Sequence, residues 1–135
     1  MKLFTLGKDV RIEDLQLIHP ALLILFTRVV MFTQEHDLSL RITSIVRDRK
    51  AVRSVSNTHP EGRAIDIATA GWPIKKIHKL VNTLNVDYSD IAAISAKTKK
   101  PRAALYHNNH IHIQVRPNAN VNRFIKEELW NRNMH

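Results

Sequence analysis

Two short stretches of the sequence combine metal-ligand residues with residues that favour β-strands. They span residues 59–67 and residues 107–115. In the second stretch, strict alternation places His110, His112 and Gln114 on one face of a predicted strand, opposite a row of aliphatic side chains. A three-residue set of imidazole and carboxylate donors, in a chain without cysteine, suits a catalytic zinc that keeps one coordination position open for water.

The first stretch is predicted to be a loop that leads into a strand. His59 and Asp66 are too far apart in sequence to share one turn of a helix, and Gly62 lies between them. We therefore expect His59 on the loop and Asp66 on a strand over residues 64–68. Asp66 would share its strand face with the two flanking alanines, while two isoleucines point the other way.

The same residues resemble a known family. The pattern S-x-x-H-x-x-G-R-A-x-D-I, followed downstream by H-x-H, is similar to that of the D-Ala-D-Ala peptidases and phage endolysins (peptidase family M15). The wider group includes lysostaphin-type enzymes and hedgehog domains. In that group the first histidine, the aspartate seven residues later and the last histidine bind zinc. The resemblance, which spans roughly residues 38–115, thus implies His59, Asp66 and His112 as the zinc ligands.

The general base departs from the commonest family pattern. Many members carry a glutamate three residues before the last ligand, whereas this chain has Asn109 there. The pattern His107-x-x-His110-x-His112 resembles instead the murein endopeptidase branch, in which histidines replace the glutamate. His110 would then take the proton of the attacking water and pass it to the leaving amine. Alternatively, His110 only orients a ligand, and His107 is the base or steadies the oxyanion.

Two residues that precede the metal motif are candidates for substrate binding. The family usually has an arginine at the end of the preceding strand, thought to hold a substrate carboxylate or the oxyanion, and the resemblance assigns this catalytic role to Arg47. The alternative is a solvated loop arginine, because Arg49 and Arg53 are close. Ser56 is the candidate for a further substrate contact, although Ser54 competes for it.

Composition limits the size of the protein and the class of its partners. The 135 residues are expected to form a single domain over 1–135, with a core of its own. Lys and Arg outnumber Asp and Glu by 21 to 12, which gives a formal charge of +9 and favours an anionic partner such as the bacterial wall. No aromatic residues are interleaved with the basic ones as in single-strand binders, so no specific nucleic acid is expected. We expect a monomer.

The N-terminal residues give no secretory signal, because they contain no apolar core of sufficient length. The longest apolar run covers residues 21–26, far too short for a membrane span. We expect a protein that is made in the cytoplasm. It would act on the wall or periplasm after holin-type release, or as a component of a virion.

Hydrophobic periodicity and turn residues predict helices and strands in mixed order. A stripe of Ile74, Ile77, Val81 and Leu84 should face the core, and Trp72 is interpreted as a packing anchor. Helices are predicted over residues 12–19, from 20 to about 36, from about 73, and over 121–131; strands are predicted over 40–46, 64–68, 103–106 and 110–115. This makes an α+β domain, a small antiparallel β-sheet flanked by helices. The resemblance implies a hedgehog/D-Ala-D-Ala peptidase-like zinc fold.

The resemblance implies a zinc-dependent peptidoglycan peptidase, either an endolysin-like endopeptidase or a carboxypeptidase. Three bonds remain open: L-alanyl-D-glutamate, D-alanyl-D-alanine and the cross-bridge. The alternative is a catalytically silent zinc-fold module with a structural or wall-binding role, such as a phage tail component, which Asn109 favours. A cationic nucleic-acid-binding protein is a weaker third interpretation.

Overall fold

A five-stranded sheet carries the described residues of the predicted site. The structure is a computed structural model that describes residues 2–45 and 62–124. The strand order of the larger sheet is β1-β2-β3-β7-β6, and β4 and β5 form a second, two-stranded sheet. The strands are β1 (Thr5–Leu6), β2 (Arg41–Ser44), β3 (Ala64–Ala68), β4 (Ala93–Ile94), β5 (Pro101–Arg102), β6 (Ala104–His107) and β7 (His110–Gln114). The helices are a 3₁₀-helix (Ile12–Leu17), α1 (Pro20–Glu35) and α2 (Ile74–Asp87).

The predicted α+β class is confirmed, but the sheet is mixed rather than antiparallel. The pairs β2–β3, β3–β7 and β7–β6 are antiparallel. Strand β1 instead pairs with β2 in parallel, with Thr5 opposite Arg41. The 3₁₀-helix and α1 lie between β1 and β2 in the chain, and a crossover of this length allows two neighbouring strands to run in the same direction.

Asn108 and Asn109 form the turn of a hairpin between β6 and β7. Both residues have positive φ, 49° and 62°, as a two-residue type I′ turn requires. Asparagine tolerates this conformation better than most residues. The turn fixes the register of β6 on β7, so that His107 lies opposite His110. The backbone N–H of Thr69 donates to the carbonyl of Asn109 and ties the hairpin tip to the end of β3.

The core lies between the two helices and the aliphatic face of the sheet. Ile65 and Ile67 of β3 and Ile111 and Ile113 of β7 are fully buried there. The predicted helix from residue 20 is confirmed as α1, and it buries Leu22, Leu25, Val29 and Phe32 at helical spacing. Burial of such side chains contributes about 1.5–3 kcal/mol each and holds the opposite face of the sheet in place.

The predicted stripe on α2 is partly wrong. Ile77 and Leu84 are buried as expected, but Ile74 is 51% exposed and Leu80 takes its place in the core. Ile74 is the first residue of the helix, after Pro73. Its position in the first turn leaves it at the edge of the packed surface, where helical periodicity alone does not decide burial.

Trp72 packs as an anchor at the start of α2, as predicted. Its ring is buried and Nε1 donates to the Ser39 carbonyl at 2.9 Å. The predicted C-terminal helix is helical at residues 122–124, and the rest of it falls outside the described residues. Over the described ranges, no helix has the length and apolar character that crossing a bilayer would need.

Candidate metal centre

Asp66 and His112 lie side by side at the centre of the sheet. They are directly opposite each other on the antiparallel strands β3 and β7, so their side chains project from the same face. His112 Nδ1 is 2.7 Å from Asp66 Oδ1. The side chains are 12% and 17% exposed, respectively. Two of the three predicted ligands are therefore adjacent and partly shielded from water.

Gln114 determines which nitrogen of His112 carries the hydrogen. Its Nε2 donates to the Arg102 carbonyl at 3.0 Å, and its Oε1 lies 3.0 Å from His112 Nε2. A carbonyl oxygen only accepts, so the amide cannot be turned round without losing the bond to Arg102. His112 Nε2 must then be the donor to Oε1. Nδ1 is the nitrogen that faces Asp66.

This arrangement fits a bound cation. A lone pair on His112 Nδ1 and a carboxylate oxygen at this distance repel each other unless they share a proton or a metal ion. Nitrogen and oxygen donors of these types are the ones that zinc takes in catalytic sites, and a ligating histidine commonly donates its second ring N–H to an acceptor. Asp66 and His112 are therefore donors of the types that fit zinc, and Gln114 accepts from the second ring nitrogen of His112.

The remaining predicted ligand cannot be placed. His59 lies outside the described residues, as do Arg47 and Ser56, the predicted substrate contacts. In the part of the chain that the structure describes, no group of three His, Asp or Glu side chains is arranged to hold a metal ion. In the sequence, His59 precedes Ala64, the first residue of β3, by five positions.

His107 and His110 form a second pair at the hairpin end of the same face. They are cross-strand partners, with ring centroids 4.6 Å apart and the rings inclined at 65°. His110 Nδ1 lies 3.1 Å from the Asn108 carbonyl. Because that oxygen only accepts, Nδ1 is the donor, and in the neutral ring Nε2 is left as the basic nitrogen.

The environment of His107 favours its neutral form. Partial burial lowers the pKa of His107 below its ordinary value, and the imidazoles of His110 and His112 act in the same direction. Asp66 opposes this effect, and Lys97 reinforces it slightly. The same interactions show that His107 lies within electrostatic range of the Asp66–His112 pair.

Gly62 fixes how the chain enters β3. Its φ is +69°, and a Cβ at this position would lie 2.4 Å from the Leu17 carbonyl oxygen. The Gly62 carbonyl accepts from the backbone N–H of His19, just before α1. Arg63 follows and donates through Nη1 to the Val115 carbonyl, across to the end of β7. The contacts of Gly62 and Arg63 thus hold the start of β3 against neighbouring segments of the fold.

Sequence reasoning placed Gln114 on the histidine face but gave it no role. The signal was its position two residues after His112, where alternation puts both side chains on one face. Its partner on β5, the Arg102 carbonyl, could not be identified without the fold. With this geometry established, comparison with known proteins finds no matching family model, curated protein or solved structure.

Proposed function

We propose that the chain is a zinc-dependent peptidase that hydrolyses peptide bonds of bacterial peptidoglycan. The observation that carries the proposal is the contact between Asp66 and His112, with the second nitrogen of His112 committed to Gln114. The resemblance of the sequence motif adds His59 as the third ligand. The histidine pair beside the contact supplies groups for proton transfer.

Asp66 Oδ1 and His112 Nδ1 would hold the metal together with His59. Zinc bound there would lower the pKa of a coordinated water towards about 7. It would also polarise the carbonyl of the substrate amide. The chain provides rigidity around this chemistry: Asp66 and His112 project from paired strands whose opposite face is fully buried.

His110 is the proposed general base. The Asn108 carbonyl occupies its Nδ1–H, so Nε2 is free in the neutral ring to take a proton from water and return it to the leaving amine. His107 is the second candidate, and partial burial lowers its pKa, which favours the neutral ring. It can also donate to a developing negative charge at the carbonyl oxygen.

Substrate contacts and location extend the proposal beyond the metal. Arg47 and Ser56 are proposed to hold the stem peptide, on the strength of the motif resemblance alone. The charge of +9 would keep a monomeric protein close to an anionic wall without a separate binding domain. A lysin that is released by a pore or carried in a virion would meet its substrate in this way.

Metal analysis and muropeptide analysis test the proposal together. We expect one zinc per chain after dialysis against a weak chelator, with its loss in Asp66→Ala and His59→Ala. Purified sacculi should release peptide fragments, identifiable by mass spectrometry, and a strong chelator should abolish the release. The fragments identify which bond is cut. Zinc retention that is unchanged in both alanine variants would refute the ligand assignment.

A zinc-binding module without activity is the second candidate. It is favoured by Asn109, which lies in the hairpin turn with positive φ and cannot act as the base that many family members have there. Stoichiometric zinc without any release of muropeptides would support this candidate. Retention on DNA that depends on salt, in a protein without zinc, would instead favour a nucleic-acid-binding role.

A further inference from the structure

Gln114 is the buried polar residue next to the proposed metal centre. It is the last residue of β7, is 5% exposed, and has both ends of its amide engaged. One end contacts the ring of His112 and the other the backbone of β5. Burial of an amide is costly unless it is hydrogen-bonded. Here both ends of the amide are bonded, one to His112 and the other to β5.

The direction of the two bonds makes the contact specific. The Arg102 carbonyl accepts from Gln114 Nε2, which forces Oε1 towards His112 and makes it an acceptor there. Rotation of the imidazole about its Cβ–Cγ bond would remove Nε2–H from Oε1. The ring is therefore held in one orientation and one tautomer, with Nδ1 directed at Asp66.

We propose that Gln114 is a positioning residue that holds His112 as the Nε2–H tautomer and so directs Nδ1 at the metal. The expected effect of Gln114 on zinc binding rests on the proposed function. Its effect on the imidazole of His112 rests on hydrogen-bond geometry alone. This role of Gln114 makes the small β4–β5 sheet part of the site, because the Arg102 carbonyl fixes the amide. Loss of such an outer partner typically weakens metal binding about 10- to 100-fold.

Two substitutions of Gln114 separate hydrogen bonding from packing. Gln114→Met keeps the length of the side chain but has no acceptor of comparable strength, so the zinc dissociation constant should rise about 10- to 100-fold. Gln114→Glu keeps an oxygen that accepts from His112 Nε2–H while losing the donor to Arg102. The zinc affinity of Gln114→Glu should therefore be closer to that of the native protein than the affinity of Gln114→Met is.

Asn85 provides a matched structural control. Its side-chain amide is likewise bonded at both ends, but only to strand backbone. It accepts from the Ala104 N–H and donates to the Ala104 carbonyl, each at 2.9 Å. It lies on α2 and contacts no histidine through these bonds. Asn85→Leu should destabilise the fold and leave the zinc dissociation constant unchanged in the folded protein.

The experiment combines a competition titration with a chelator and ¹⁵N NMR of the histidine rings in the metal-free protein. The native spectrum should show a hydrogen on His112 Nε2, and in Gln114→Met the hydrogen of the neutral ring should move to Nδ1, where Asp66 accepts it. The inference is overturned if His112 keeps its tautomer in Gln114→Met, or if zinc affinity falls equally in Asn85→Leu. A native protein that shows the tautomer but binds no zinc would refute the proposed function while supporting the role of Gln114.

Discussion

His110 and His112 differ by two positions on β7 and project from one face, yet their surroundings differ. His112 lies against a carboxylate at 2.7 Å, and its other nitrogen contacts Gln114. His110 contacts a backbone carbonyl and the ring of His107. The first environment suits a metal ligand, and the second suits a group that takes up and returns a proton.

Alanine substitution should therefore separate the two histidines. His112→Ala should lose zinc and peptidase activity together, because it removes a ligand. His110→Ala should keep zinc and its fold but lose about a hundred- to ten-thousand-fold in turnover, the usual contribution of a general acid–base group. Zinc content and muropeptide release are measured on both variants.

Two outcomes would contradict these roles. If His110→Ala loses zinc while His112→Ala keeps it, the assignment of ligand and base is reversed. If His110→Ala keeps both zinc and full turnover, the base is another residue, and His107 is the next to substitute. Circular dichroism of each variant checks that the fold is intact.

His107 should titrate below the ordinary range for histidine in the metal-free protein. Partial burial is the main cause of its lowered pKa, and His110 adds to it. NMR titration of the ring protons should show a midpoint below about 6.5, the value of a free histidine. In His110→Ala the midpoint should rise but stay below that value, because the burial remains.

The sign of this shift also predicts how pH affects folding. The folded state binds a proton on His107 less readily than the unfolded chain does. The contribution of His107 to folding stability is therefore fully present above the ordinary pKa of histidine, and it is lost as the pH falls through the lowered pKa of the folded state. A His107 midpoint at or above the value of free histidine would contradict the packing of this ring.

At the scale of elements, the entry into β3 depends on the backbone of Gly62. The left-handed conformation alone costs a non-glycine residue about 1–2 kcal/mol. At Gly62 a side chain would also collide with the Leu17 carbonyl oxygen of the 3₁₀-helix. The position of Asp66 four residues later therefore depends on the close approach of these two segments.

Gly71 allows this clash to be measured separately. Its φ is +82°, but a Cβ there would meet no atom within 4 Å. Gly71→Ala should cost about 1–2 kcal/mol from backbone strain, and Gly62→Ala should cost about 1–3 kcal/mol more from overpacking. Urea unfolding midpoints at an unchanged slope give both values. Equal losses in the two variants would show that the close approach has no energetic consequence.

Local signals predicted some elements and not others. The β6–β7 hairpin was predictable because two consecutive asparagines suit the positive φ values of its turn, and β3 because its alternation is regular. The parallel pairing of β1 was not, because a two-residue strand has no periodicity to read. Ile74 was misplaced because its burial depends on where α2 meets the sheet.

The candidate site was predictable only in part for a related reason. Alternation put Asp66 and His112 each on the strand face opposite the isoleucines, but their contact depends on the register between β3 and β7. Register across strands distant in sequence is set by packing of the whole sheet. The bond from Gln114 to β5 depends on a second sheet, which no local pattern in the sequence indicates.

At the scale of the whole molecule, positive charge is spread over several described surfaces. Lys97, Lys99 and Lys100 are exposed on the turn between β4 and β5, and Lys97 acts electrostatically on His107. Lys75 and Lys79 are exposed on α2, which packs against β6. Lys97 of the first group acts on a histidine of the candidate site, while the second group lies on a separate element.

Capture by the wall should therefore weaken as salt rises. Exposed charges act over about 8 Å at 0.15 M ionic strength and only about 3 Å at 1 M, so electrostatic binding to sacculi should fall steeply between these conditions. Co-sedimentation with purified sacculi measures it. The double variants Lys97→Gln/Lys99→Gln and Lys75→Gln/Lys79→Gln each remove two positive charges, so both should bind less at low salt. The turn variant should lose more, because it removes Lys97, which acts electrostatically on His107 of the candidate site. Binding that is indifferent to salt would mean that a specific carbohydrate or peptide pocket, rather than net charge, holds the protein on the wall.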